Sequence, residues 1–364
     1  MAKLFQPIQF GSLTLNNKII IAPMCQYSAT DQGVVSFWHQ QQWASYALSG
    51  AGLAIIEATA VSPAGRISYA DVGLWNDQQR DHIREILNQI KVFSPMPFAV
   101  QLAHAGRKAS TDKPWLGKQQ LSADDDHGWQ TVSASELPFD PQDHAPHALT
   151  QEEIGQIIQD FSQAAQRAFE AGFDLIELHA AHGYLLHQFM SPLSNQRDDV
   201  YGGGLENRIR LTLEVFNAMQ QQLPEGFPIG VRISAQDWVE AGWSVAESIE
   251  LSRQLQAAGA VYIHVSSGGL DIRQQIQLGP NYQVSFAAQI KQQLEIPVIA
   301  VGLITEPEQA EQILATEQAD AIGLARAMLY NPRWPWHAAA ALGEQIEIAP
   351  QYLRCQPHQY KNLS

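Results

Sequence analysis

Cysteine is nearly absent: Cys25 and Cys355 are the only two in 364 residues. Two thiols supply neither a disulfide framework nor a cysteine metal cluster, so a reducing cytosol is the expected setting. No run of 18 apolar residues occurs, so no membrane-spanning helix is expected. The opening MAKLFQPIQF lacks the apolar core of a secretory signal. Positive charge is scarce, with 22 Lys and Arg against 37 Asp and Glu, a formal charge of −15 and a pI near 5.2. Nucleic acid and anionic membrane surfaces both need a basic face, so neither is an expected partner. Also missing is a Gly-x-Gly-x-x-Gly behind the first apolar run, which a dinucleotide-binding half would carry. What is present is 45% hydrophobic and 16% charged residues, the balance of a globular protein with a sizeable core.

Apolar runs alternate with amphipathic segments along the chain. Strands are expected at Lys18–Ala22, Leu53–Glu57, Pro97–Leu102, Phe173–Leu178, Pro228–Ile233, Val261–Val265, Pro297–Val301 and Asp320–Leu324. Helices are expected between Ser36 and Ser49, from Asn76 to about Val92, from Thr150 to Gly172, from Leu205 to Gln222, from Ser244 to Ala258, near Val284 to Leu294, after Thr305 and after Asn331-Pro332. Asn76 with Gln79, Thr150 with Glu153, Ser244 with Glu247 and Thr305 with Glu308 have capping-box spacing. From Ala105 to about His147 no periodicity is sustained, which suggests a functional excursion over the top of the domain. Eight strand–helix units predict a parallel sheet. Eight in one chain favour a closed (β/α)8 TIM barrel, a single α/β domain over residues 1–364, with an open doubly wound sheet as the alternative.

A barrel gathers its chemistry at the carboxyl ends of its strands. Cys25, Ala58, Gln101, His104, His179, His182, Arg232, Ser266 to Gly269, Gly302 and Arg326 all fall there. The segment FDLIELHAAHGYLLHQF delivers His179, His182 and Tyr184 directly after an apolar run. Two imidazoles can donate to one substrate oxygen and a phenol can give a proton, a set suited to polarising a carbonyl or nitro group. The same histidines also fit a zinc pair or core positions bonded to backbone. Gly302 lets backbone approach an anion, and Arg326 can pair with a phosphate. Arg232 brings positive charge to the middle of the mouth, and Gln101 offers a donor and an acceptor to a pyrimidine-like edge. Either arginine also fits a simple carboxylate pair, and Gln101 a backbone group. Cys25 reads as a small buried hydrophobe, or as a thiol touching a redox ring.

These residues together resemble the old yellow enzyme family of flavin-dependent ene-reductases, in the branch with the xenobiotic reductases and thermophilic-like members. The likeness runs from Leu4-Phe5-x-Pro7 to the final helix. It is carried by Pro23-Met24-Cys25-x-Tyr27, Glu57-Ala58-Thr59-Ala60-Val61, Gln101-Leu102-x-His104-Ala105-Gly106-Arg107-Lys108 and His179-Ala180-Ala181-His182-Gly183-Tyr184-Leu185. Ser191-Pro192-x-Ser194-Asn195-x-Arg197-x-Asp199-x-Tyr201-Gly202-Gly203 and Asn207-Arg208 extend it.

The resemblance implies non-covalent FMN, with its ring against Ala22, Pro23, Met24, Cys25 and Ala58. It implies Gln101 at the pyrimidine edge, Arg232 near N1, and the phosphate at Val301, Gly302, Ala325 and Arg326. It further implies that His179 and His182 hold the substrate oxygen with help from Tyr27. Cys25 tunes the flavin, and Tyr184 protonates the α-carbon after hydride reaches the β-carbon. NAD(P)H would use the same mouth in turn, which accounts for the missing dinucleotide fingerprint. Enones and nitro compounds are the implied acceptors, and a homo-oligomer (dimer or tetramer) the implied assembly. The chain departs from the pattern at Ala325, where relatives carry Gly, and at Gly204, where Ser is common. Gln351-Tyr352-x-Arg354 resembles a segment that sends an Arg into the partner's active site, but Cys355-Gln356-Pro357 lacks the expected aromatic ending. Competing readings are a metal- or Schiff-base-type barrel lyase, for which no strand-end Lys is found, and a non-catalytic flavin-binding barrel.

Overall fold

The computed structural model describes residues 1–117 and 119–355. Gln356 and Pro357, part of the departing C-terminal motif, lie outside them. Eight parallel strands close into a barrel in chain order. They are β1 (Ile19–Ile21), β2 (Leu53–Ala60), β3 (Phe98–Ala103), β4 (Leu175–Ala180), β5 (Ile229–Ser234), β6 (Ile263–Ser266), β7 (Val298–Ala300) and β8 (Ala321–Leu324). The seam closes where β8 pairs with β1, Ile322 opposite Ile19 and Leu324 opposite Ile21. All eight residues of β2 are buried. A strand covered on both faces reads as a continuous apolar run rather than an alternating one.

The side-chain period of two then sorts each strand between two cores. Ile176 and Leu178 of β4 point outward into the large cluster between barrel and helices. Leu175 points inward and joins Ile20, Leu53, Ile55, Ala99, Tyr262, Ile299 and Ala321 in a plug at the barrel floor. An antiparallel hairpin, Ile8–Phe10 with Leu13–Leu15, seals that floor, with the Phe10 ring 4.7 Å from Tyr262. Climbing the same inner face of β4 brings Leu175, then Glu177, then His179. Apolar packing thus gives way to a buried carboxylate and then to imidazole at the mouth.

Local signals fix the helices. Asn76 with Gln79, Thr150 with Glu153 and Ser244 with Glu247 all form capping boxes, and Gly172 ends the Gln151–Ala171 helix at φ 93°. Two boundaries differ from expectation. The helix Pro307–Ala315 is capped by Glu306 with Gln309, not Thr305 with Glu308. Pro307 has the φ preset for the first helical position, which moves the cap to the residue before it. The last long helix is Trp334–Leu342, not one opened at Asn331-Pro332. Asn331 Oδ1 instead accepts the Arg333 N–H at 3.1 Å and makes a turn after the short helix Arg326–Tyr330.

The segment from Ala105 to His147 holds two one-turn 3-10 helices and half of a short strand pair. It is bonded down over the mouth: Arg107 donates to Leu270 O at 2.8 Å and to Leu137 O at 3.0 Å. Among the described residues no helix is long and apolar enough to cross a membrane.

Candidate active site

The first polar layer above the plug is built around Glu177. Its carboxylate accepts from Gln101 Nε2 at 2.7 Å, Tyr262 Oη at 3.0 Å and His264 Nδ1 at 2.8 Å, all fully or almost fully buried. Burial pushes the Glu177 carboxyl up, but His264, Arg232 and Gln101 together hold it below the ordinary value. Arg232 lies in register between His179 on β4 and His264 on β6. Its Nε is buried and has no partner. Glu177 therefore orients the Gln101 amide, taking one of the two Nε2 hydrogens and leaving the other N–H and Oε1 for a ring edge.

One layer higher, the imidazoles and the phenol converge. The His179 ring is edge-on to His182 and to Tyr184, each at 5.1 Å between centroids. His182 Nδ1 is 3.4 Å from His179 Nε2. The chain reaches this arrangement through two successive left-handed residues, His182 at φ 59° and Gly183 at φ 73°. A Cβ at position 183 would lie 2.1 Å from the Gly269 carbonyl oxygen, so only glycine fits the turn. Gly183 N–H donates to His187 Nδ1 at 2.9 Å, and His187 Nε2 lies 2.9 Å from the buried carboxylate of Asp237. Lys108 reaches back from the excursion and donates to the carbonyls of His182 at 2.8 Å and Gly269 at 2.7 Å, 5.2 Å above the Tyr184 ring. Burial, seconded by the Arg232 charge, pushes both imidazoles well below their ordinary pKa, so they are neutral donors. Burial likewise pushes the Tyr184 phenol up, aided by Cys25 and Asp71, which keeps its proton on.

The third wall comes from the β1 and β2 ends. Ala22 N–H donates to Leu324 O at 2.9 Å across the seam, and Pro23 and Met24 follow half-buried. A bulge beside Glu57 shifts the β2 register between Ile56 and Ala58. The Glu57 carboxylate accepts the Gln26 N–H at 3.2 Å and faces His39 at 3.2 Å, which anchors the loop carrying Cys25. Cys25, Tyr27 and Tyr184 pack in one cluster on Ile67, Ala105 and Ala109. Burial and the charges of Asp71 and Glu57 raise the Cys25 thiol well above its usual value. Cys25 is thus a thiol, poorly set up as a nucleophile. His104 turns out to be structural: its Nδ1 accepts the Gly106 N–H at 3.1 Å, and burial lowers its pKa to about 4.

On the far side, Val301 is buried and Gly302 sits at φ 123°, where a Cβ would come within 3.1 Å of Gln283. Ala325 leads into Arg326, which is exposed at the start of the short helix. Both Arg326 and Arg232 bear on the Tyr282 phenol, which burial raises. An unpaired buried Arg232 Nε, an oriented amide, a glycine cradle and an exposed guanidinium fit an FMN ring and phosphate. Arg354 is not brought to this mouth. It lies exposed on Pro350–Cys355, after a segment that lines a groove with Gly50–Gly52 and Pro95–Pro97 at the opposite strand ends. Among the described residues no three His, Cys, Asp or Glu side chains gather to hold a metal.

Sequence reasoning placed Ser266 and Ser267 at the mouth without giving them a role, and missed Glu177 and Lys108 as parts of the site. Glu177 carried a readable signal, an acid two positions before His179 on one strand face. Lys108 was visible only as part of the family motif beginning at Gln101, because only the folded excursion returns it to the mouth.

Residues 3–345 match the model of the NADH:flavin oxidoreductase / NADH oxidase family. An NADPH dehydrogenase of Listeria innocua is 41% identical over 355 residues, 97% of this chain and 99% of that protein. One from Bacillus velezensis is 42% identical over 353 residues, 97% and 98% of the two chains. Among solved structures, morphinone reductase aligns over 100% of this chain and 96% of its own with TM-score 0.78 at 28% identity. A complex of 2-naphthoyl-CoA reductase with 2-naphthoyl-CoA aligns over 94% of this chain and 52% of its own with TM-score 0.83, and at 21% identity it speaks to the fold alone. The matched family, the full-length relatives and the FMN-fitting mouth agree: the chain belongs to the NADH:flavin oxidoreductase / NADH oxidase family, that of old yellow enzyme, as an FMN-dependent NAD(P)H oxidoreductase.

Proposed function

We propose that the whole chain works as one FMN-binding barrel that reduces activated C=C bonds of α,β-unsaturated carbonyls, and nitro groups of similar shape. The observation that carries this reading is the convergence of His179, His182 and Tyr184 on one point. In this reading Ala22, Pro23, Met24, Cys25 and Ala58 line the ring, and Gln101 and Arg232 meet its pyrimidine side. Val301, Gly302, Ala325 and Arg326 hold the phosphate. Bound FMN would supply two-electron hydride transfer between NAD(P)H and the acceptor.

The protein does the rest. His179 and His182 donate to the acceptor oxygen and stabilise the negative charge that grows there. Neutral imidazoles suit this role, since they donate without surrendering a proton. Tyr27 closes over the oxygen side, and Tyr184 gives its proton to the α-carbon. Lys108 fixes the turn that aims Tyr184. Its ammonium is committed to two carbonyls, which also disfavours a Schiff-base role.

His179→Ala and His182→Ala are expected to weaken binding of a phenolate such as that of 4-hydroxybenzaldehyde by about tenfold or more each, since hydrogen bonds to a charged group are worth about 1.5–3 kcal/mol. FMN stays bound in both. Titration of the flavin spectrum checks this, and loss of FMN in both variants would assign the histidines a structural role instead.

The same proposal includes a cytosolic setting, consistent with two unpaired cysteines, and a homo-oligomer. Arg354 sits away from its own mouth, so any contact with an active site is with a partner subunit's. Turnover of Arg354→Ala is expected to fall with enone as acceptor, and unchanged turnover would remove Arg354 from the site.

A further inference from the structure

Tyr184 is the N-cap of the short helix Leu185–Met190, and its side chain makes no capping hydrogen bond. Just before it stands Gly183 at φ 73°. Glycine restrains its own backbone least. The Gly183–Tyr184 peptide plane, from which the phenol is aimed, therefore depends on outside partners. At its nitrogen end, Tyr184 N–H donates to Ala181 O at 3.1 Å. At its oxygen end, Gly183 O accepts from Gln188 Nε2 at 2.7 Å.

Gln188 is fully buried, and its amide is used on every side. Nε2 also donates to Ala105 O at 3.1 Å, while Oε1 accepts the Arg107 N–H at 3.2 Å and the Ser133 hydroxyl at 3.0 Å. A backbone carbonyl only accepts and a backbone N–H only donates, so these partners leave the amide one orientation. A Cβ on Gly106 would lie 2.3 Å from Gln188 Oε1, so the amide rests directly on the backbone that opens the excursion. Ser133 belongs to the strand pair near the excursion's far end. One side chain thus joins both ends of the excursion to the peptide that aims Tyr184. His182 has its own supports: its N–H donates to Ser234 Oγ at 2.9 Å, and its carbonyl accepts from Lys108 at 2.8 Å.

We propose that Gln188 is a positioning residue for the proton transfer. It fixes the Gly183–Tyr184 peptide against the excursion and so holds the phenol in line with the acceptor's α-carbon, where the electron pair left by hydride addition takes the Tyr184 proton. This rests on the reading of Tyr184 as the proton donor. Gln188 acts on the phenol and not on the pair of histidines, because His182 is held by other groups.

The test uses FMN-loaded protein with NADPH, 2-cyclohexenone and the phenolate of 4-hydroxybenzaldehyde. Gln188→Met keeps the length and removes all four side-chain hydrogen bonds. Anaerobic stopped-flow is expected to show reoxidation by the enone slowed about tenfold, the scale of a misplacement under about 1 Å. Flavin reduction by NADPH and phenolate affinity stay within about twofold of the parent. In a Tyr184→Phe background the same substitution slows reoxidation no further, because no phenol proton remains to be aimed. A general loosening of the mouth would move all three readings and would add to the effect of Tyr184→Phe, and either result overturns the proposal. Gln188→Asn, one methylene too short to reach Gly183 and the excursion together, carries the test should Gln188→Met fail to fold, with the same pattern at about threefold. Reoxidation within about twofold of the parent in the folded variant also overturns the proposal. If Tyr184→Phe itself reoxidises at the parent rate, the donor reading falls. If Tyr184→Phe is slow and the Gln188 variant is not, only the positioning role falls.

Discussion

Tyr184→Phe slows the oxidative half-reaction with an enone by about 10²-fold or more, the range for loss of a positioned general acid, while flavin reduction by NADPH stays within about twofold. The reason is the division of labour in the mouth. In the proposed reaction, hydride arriving at the β-carbon would leave charge on the acceptor for the two histidines to hold at oxygen. Completion needs a proton at the α-carbon, and Tyr184 is the phenol edge-on to His179 at 5.1 Å. Reduction by NADPH needs no such proton. Burial, then Cys25 and Asp71, raise the Tyr184 pKa. A raised phenol pKa keeps the donor form present, so the oxidative rate is flat with pH through neutrality and beyond the ordinary tyrosine range near 10. Anaerobic stopped-flow measures the two half-reactions separately. Equal slowing of both, or a rate that falls with pH well below 10, would take the donor role away from Tyr184.

Glu177→Gln is the second large effect, and it acts below the reacting atoms. The parent carboxylate receives three buried donors, from Gln101, Tyr262 and His264, and offsets the charge of Arg232. An amide of the same shape has one oxygen and adds two N–H groups. Its NH2 meets donors already aimed at it, and Arg232 loses its counter-charge. Each buried donor left misdirected costs about 1–3 kcal/mol. Chemical denaturation of the variant is therefore expected to show a loss of that order. Release of the Gln101 amide weakens FMN retention by about tenfold, one misdirected hydrogen bond at a buried edge. With Arg232 beside FMN as proposed, its uncompensated charge would favour reduction, and the midpoint potential is expected to rise. A variant with parent stability, FMN affinity and potential would show that the Glu177 network does not support the site.

Much of this was legible from residues read singly or in short windows. Thr150 with Glu153 announces a helix because a capping box is local chemistry. Phe173 to Leu178 reads as a strand because a short apolar run needs no distant partner to be recognised. The mouth was legible because strand ends are punctuated by Cys25, Gln101, His179, Arg232 and Gly302. What escaped depends on groups far apart in sequence. Glu177 takes its meaning from Gln101, 76 positions away, and from His264, 87 positions away. Lys108 matters because the excursion folds back to His182, 74 positions on. The misplaced cap at Thr305 has a smaller cause: Pro307 outranks the Thr–Glu spacing in deciding where a helix begins.

The most direct test of the account is one cuvette of purified protein followed by visible absorption, with anaerobic addition of NADPH and then 2-cyclohexenone. The account predicts an oxidised flavin band that bleaches with NADPH and returns with the enone. Bleaching without return would reject activated enones as acceptors, and a colourless protein that takes up no added FMN would contradict the assignment of the mouth to a flavin.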